Sequence, residues 1–232
     1  MSYAMRYSLG IEQVEPGKWL AWIFELPGCF ARGSSRDNAI RHSPRAIADY
    51  FNWRDGYQRV TDEAASQLQV TVVEEFDNYE TLDGYWVNSF FEYDRRIVSH
   101  AEMDDVRWLL SCTRSDLVSA VRRVPASDLD HPLPDERFGS VLGILSHVAT
   151  AENWYLNKLG LGYPKSELAG DAFGLLDQVR RRTVLSLSRL ADKTDVREVH
   201  GELWSSRKIV RRMLWHERVH TWHIQRHLAG VT

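Results

Sequence analysis

The sequence predicts an α+β protein: a small antiparallel sheet with one covering helix, followed by an all-α four-helix bundle. Three observations carry this reading. In the first third of the chain apolar and polar residues alternate between turn signals, the period of half-buried strands. From about residue 99 onward apolar residues recur every three to four positions, the period of amphipathic helices. The last helical stretch, 206–228, concentrates four of the nine histidines within residues 216–227.

Residues 6–12 and 18–25 read as strands joined by a turn at Glu15-Pro16-Gly17, and residues 29–33 as a third strand after Leu26-Pro27-Gly28. A helical pattern covers 35–53, with Ala39, Ile40, Ala46, Ile47 and Tyr50 on its apolar side. Pro44 sits inside it, which removes a backbone donor and predicts a kink, or a restart with Ser43 as N-cap. The β-branched run at 67–75 is the last strand. Residues 1–76 thus form a β-β-β-α-β domain. Residues 77–98 are a connector rich in aromatics, among them Tyr79, Tyr85, Trp86, Phe90, Phe91 and Tyr93. Such a stretch is unlike a flexible linker; it reads as packing between domains or as a wall over a site.

Residues 99–232 form the helical domain. Ser99 and Glu102 make a capping box, and Val106, Leu109, Leu110, Leu117, Val121 and Val124 continue as one stripe up to Pro125. The second helix, 140–159, carries Val141, Ile144, Leu145, Val148, Ala151 and Tyr155; the third, 171–191, carries Leu176, Val179, Leu187 and Leu190. Four such segments of about twenty residues describe a four-helix bundle. The connections between them are longer than the usual two to eight residues, which leaves room for functional loops.

Composition narrows the function classes. Apolar residues make up 44% and charged residues 26%, as in ordinary soluble proteins. A net charge of -3 argues against a general nucleic-acid binder. The N-terminus lacks the apolar region of a signal peptide, and no apolar run is long enough to span a bilayer. Cys29 and Cys112 read as buried free thiols in a reducing cytoplasm. The expected setting is cytoplasmic, without a membrane or nucleic-acid partner; a homodimer is compatible with the sequence but nothing specifies it.

On the last helix the core-facing positions step through Ile209, Met213, His216, His220, His223 and His227, so apolar residues give way to imidazoles along one seam. His216 and His220, four apart, lie one turn from each other on one face and suit a single divalent ion. His147 shares the core face of the second helix with Ile144, Val148 and Ala151, and packing of that helix beside the last would bring it within reach as a third ligand. Three histidines with an open position describe a catalytic type of site. The second pair, His223 and His227, leaves the ligand set open to extension or slippage.

His216-Glu217-x-x-His220 also matches the helix of zinc proteases, in which the glutamate is the general base. One protease class would need a glycine at position 223 and a histidine at position 226, where the chain has His223 and Arg226. The other needs a glutamate on a further helix, and the twelve residues after His220 contain no acid. A protease is therefore set aside. Glu217 and Glu152 read as solvated or salt-bridged surface residues, with a catalytic role left open, and the sequence names no catalytic residue.

His147 within LGILSHVATAENWYL, and the pair within RRMLWHERVH, resemble the DinB/YfiT-like family of metal-binding four-helix proteins over about 88–229. Trp204-Ser205-Ser206-Arg207 adds to the likeness. The resemblance implies metal ligands at His147, His216 and His220, and nickel or zinc as the ion. It also implies a thiol-dependent transferase, with a low-molecular-weight thiol cosubstrate, or a hydrolase acting on a small-molecule substrate. Residues 5–76 resemble the HicB antitoxin fold through the Glu25-Leu26-Pro27-Gly28-Cys29 turn, Gly33 and the helix bearing Ala39, Ala46 and Ile47. That likeness implies a protein partner for the N-terminal domain and, as the alternative function, a partner-binding protein whose metal site is structural or vestigial.

Overall fold

The computed structural model describes residues 6–55, 67–133 and 137–229. Of the stretch searched for a signal peptide, residues 1–6, the first five lie outside the described residues. The architecture is mixed α+β, and the chain divides into two units. One is Met1–Arg96 with Val196–Lys208; the other is Ile97–Asp195 with Ile209–Thr232. No helix among the described residues is long and apolar enough to cross a membrane.

In the first unit, β1 (Arg6–Glu15), β2 (Lys18–Ile23) and β3 (Phe30–Gly33) form antiparallel neighbours, followed by α1 (Arg36–Asp55) and β4 (Gln69–Asp77). The sheet order is β3-β2-β1-β4. Leu9 and Ile11 on β1 and Ala21 and Trp22 on β2 are almost completely buried. The sheet is not all antiparallel: β4 runs parallel to β1, with Leu9 opposite Val72. Topology supplies the reason. Two hairpins leave β3 parallel to β1, and a helix then carries the chain back so that the next strand repeats the direction of β3. Periodicity detects strands but not their direction.

Helix α1 runs through Pro44 without restarting. Ser43 does not cap a new helix; its hydroxyl donates back to the Ala39 carbonyl at 2.9 Å. The turn from β3 into α1 is so tight that a Cβ on Gly33 would lie 2.3 Å from the Ala39 nitrogen. Gly33→Ala is therefore expected to lower stability by about 1–3 kcal/mol, the usual cost of overpacking. Urea denaturation checks this, and an unchanged midpoint would contradict the close approach.

The aromatic stretch read as a connector belongs, up to Arg96, to this first unit. Its short strands β5 (Tyr79–Glu80) and β6 (Trp86–Val87) pair with each other. Phe24 stacks on Tyr93 with centroids 4.5 Å apart and meets Phe91 edge-on at 5.2 Å. Glu12, buried in the middle of β1, accepts the Trp22 indole N–H at 2.7 Å and the Ser89 backbone N–H at 3.0 Å. These bonds satisfy a carboxylate that would otherwise be costly to bury.

A second hairpin, β7 (Arg197–Val199) and β8 (Glu202–Trp204), completes the unit from far along the chain. Its two-residue turn holds His200 and Gly201 at φ of 55° and 77°, the left-handed pair that matches strand twist. Beyond it Lys208, fully buried, donates to Glu202 at 2.7 Å and to the Asn88 carbonyl at 3.2 Å; the Tyr85 hydroxyl donates to the same Glu202 at 2.5 Å. Ser205 donates to the Asp94 carbonyl at 2.5 Å. The connection between the last two helices thus holds a hairpin of the other unit, not a free loop.

The second unit is built on α2 (His100–Val121), α3 (Val141–Lys158), α4 (Ala172–Leu190) and the length of α5 (Ser206–Leu228) from Ile209 onward. Each start is capped as the sequence dictates. Ser99 and Glu102 exchange bonds, Ser140 accepts from the Gly143 N–H at 3.1 Å, and Asp171 accepts from the Gly174 N–H at 2.7 Å. All four helices contribute to one apolar cluster, which includes Leu117, Ile144, Val148, Val179 and Ile224.

Candidate metal centre

Along α5 the seam is buried through Ile209, Met213, His216 and His220, then opens: His223 and His227 are half-buried. His147 comes to meet it from α3. The ligand atoms of His147, His216 and His220 all lie within 4.8 Å of one another. The Nε2 atoms of His147 and His216 are 3.0 Å apart, and the three ring centroids are separated by 4.4 to 4.9 Å. A tetrahedral ion with Zn–N bonds of about 2.1 Å places its nitrogens about 3.4 Å apart. Small side-chain adjustments therefore let the three imidazoles share one divalent ion. The donor chemistry also fits: neutral imidazoles suit zinc and nickel. Among the described residues, His223 stands beside this grouping without joining it, its ring 5.3 Å from that of His220.

Burial, and then the neighbouring His220, His147, Arg212 and His223, push the His216 imidazole well below its ordinary pKa of 6.5. It is neutral at pH 7, with a lone pair to give. The sign of the linked stability follows. An unfolded chain takes up this proton near pH 6.5, whereas the folded one resists it to much lower pH. The stability contributed is complete above pH 6.5 and is lost as pH falls toward the folded value. Metal-free protein should melt at progressively lower temperature between pH 7.5 and about 5, and His216→Ala should flatten that dependence.

Aromatic side chains, Phe138 and Tyr155 among them, flank the cluster. Phe138, just ahead of α3, stacks on His147 at 3.8 Å and meets His220 edge-on at 5.4 Å. Tyr155 meets His216 edge-on at 6.0 Å. Two of the three histidines are buried, while His147 is half-buried.

The glutamates overturn their sequence reading. Glu217 and Glu152 are buried, with side-chain exposures of 2% and 5%, and neither is a surface residue. Arg114 of α2 donates to Glu217 at 2.6 Å and to Glu152 at 3.2 Å. Arg180 of α4 donates to Glu152 at 2.9 and 3.0 Å and to Glu217 at 2.7 Å. Thr113 and Thr183 each donate a hydroxyl to one of the carboxylates. One charged residue from each of the four helices enters this network. Burial alone would raise the Glu217 carboxyl, but the charges of Arg180 and Arg114 and the Thr113 bond hold it below the usual carboxylate range. All its visible bonds are spent in the network, so it has no geometry for a general base at the histidines. A cavity of about 470 Å³ is lined by Arg114 and Arg180 together with Arg107 and Arg122, and by no histidine.

Both thiols are free, Cys29 buried and Cys112 half-buried. Burial raises the Cys112 thiol above its ordinary value, which leaves it a poor nucleophile.

Fold and cluster together define a mixed α+β protein with a helix-borne three-histidine grouping. The chain matches no family model, no curated protein and no solved structure.

Proposed function

We propose that His147, His216 and His220 bind a divalent cation, nickel or zinc by donor type, and that the protein is a metal-dependent enzyme acting on a small molecule. The observation that carries this is the convergence of three imidazole ligand atoms within 4.8 Å, from two helices, in a half-enclosed aromatic setting. The sequence resemblance to DinB-like proteins supports the same reading: it implies a metal-binding four-helix bundle whose reaction is thiol-dependent transfer or hydrolysis. A bound divalent ion would lower the pKa of a thiol or water and hold the resulting anion beside an electrophile. The chain's own part is to present three nitrogens that converge from two helices and to flank them with Phe138 and Tyr155.

Elemental analysis of the purified protein, followed by a thiol-transfer panel with low-molecular-weight thiols, tests this. About one divalent ion per chain and transfer activity that His147→Ala removes are the expected results. No bound ion, and no change on His147→Ala, would defeat the reading. The alternative, a partner-binding protein whose ion is structural, draws on the edge strand β4, where Val73 is 52% exposed. A stable partner captured through residues 1–76, together with a transfer panel that stays silent, would favour it.

A further inference from the structure

We propose that Arg114 and Arg180 are positioning residues for the histidine cluster, clamping α3 and α5 so that His147 meets His216 and His220. Two of the helices that meet in the charge network carry the histidines. Glu217 follows His216 directly, and Glu152 lies five residues beyond His147, about 7.5 Å along α3. Each carboxylate is therefore a handle on a ligand-bearing helix.

Both handles are held at two points. The Glu217 oxygens go separately to Arg114 at 2.6 Å and Arg180 at 2.7 Å; those of Glu152 go to Arg180 at 2.9 Å and Arg114 at 3.2 Å. A carboxylate fixed through both oxygens restrains rotation of its helix as well as sliding. The arginines are anchored in turn. Arg114 donates to the Leu176 carbonyl of α4 at 2.9 Å, and Arg180 donates to the Leu110 carbonyl of α2. Each cation is thus tied to the helix that bears the other.

Stability alone gives a weak reason for such an arrangement. Burying four charges costs desolvation that their attraction roughly offsets, and well-packed apolar residues often serve as well or better. What apolar packing does not supply is a unique rotation and register, and three imidazoles that must meet at one point need both. Groups that hydrogen-bond a ligating imidazole typically change metal affinity by about 10–100-fold when removed, and a clamp on both ligand-bearing helices is expected to act on the same scale.

The metal readout rests on the reading of the cluster as a metal site; the ordering of the imidazoles can be followed without metal. The experiment compares wild type, Glu217→Gln and Leu187→Ala, the last a core cavity variant on α4 that takes no part in the hydrogen-bonded network, with cobalt(II) as the probe ion. In metal-free, histidine-labelled protein, NMR should show ring-to-ring contacts between His147 and His216 in wild type and Leu187→Ala, and their loss in Glu217→Gln. Cobalt(II) affinity should fall about 10–100-fold in Glu217→Gln and stay within about twofold of wild type in Leu187→Ala. Thr113→Val and Thr183→Val each remove one hydrogen bond and leave every charge in place. They carry the same comparison should Glu217→Gln not fold, with an expected loss of about threefold or more. Retained ring contacts and unchanged cobalt(II) affinity in folded network variants, with only a lower melting temperature, would overturn the proposal. Wild type that takes up no cobalt(II) would defeat the metal reading instead, and the ring contacts would still decide whether the clamp orders the cluster.

Discussion

His216→Ala is expected to reduce divalent-metal affinity on the order of 100-fold. A structural zinc site is worth about 10–16 kcal/mol over four ligands, so one ligand contributes about 3 kcal/mol. His216 is central to the cluster: its Nε2 lies 3.0 Å from that of His147, and its ring is 4.4 Å from that of His220. His220→Ala should behave alike. His223→Ala, outside the grouping, should leave affinity within a few-fold of wild type. Competition titration against a chromogenic chelator reads all three. A loss in His223→Ala equal to that in His216→Ala would show that the ligand set has slipped one step along α5.

Arg180→Met carries the second large expectation, a loss of about 3–5 kcal/mol in unfolding free energy. Removing one partner of a buried ion pair leaves an uncompensated charge, which costs more than the pair contributes. Here two buried carboxylates would be left to a single arginine, and Glu152 would lose both of its bonds to Arg180. Adding Glu217→Gln restores the charge balance and should recover part of the loss. Arg45→Ala provides the contrast: its pair with Asp49 is more than half exposed on both sides, so its removal should cost less than about 1 kcal/mol. Urea denaturation at neutral pH measures each.

What could be read from the sequence followed from local physics. The helix starts at Ser99, Ser140 and Asp171 are visible because capping is a matter of adjacent residues. The core-facing placement of His147, His216 and His220 is visible because period and spacing settle a face; that the faces meet depends on which helices are neighbours, which periodicity does not give. The charge network was not visible for the opposite reason. Its members are 28 to 103 residues apart, and a charged residue on a helix is by default assigned to water. Phe138 went unseen because it precedes its helix and belongs to no periodic stripe. The β7–β8 hairpin escaped because strands of three residues are too short to alternate. Its one signal, His200-Gly201, is a turn dipeptide in a segment otherwise read as a connection.

That hairpin also bears on the order of synthesis. Glu202, Ser205 and Lys208 bond to Tyr85, Asp94 and Asn88 across 111 to 120 positions of sequence. A ribosome that has released residues up to Arg96 has released a unit still missing Val196–Lys208, and the stretch Ile97–Asp195 of the second unit must emerge before they arrive. The first unit is therefore not complete until three helices of the second, α2 to α4, have been made. Until then the partners of Glu202 and Lys208 wait exposed, and a nascent chain arrested before residue 208 should be cut by protease within residues 77–96 far more readily than the full-length protein.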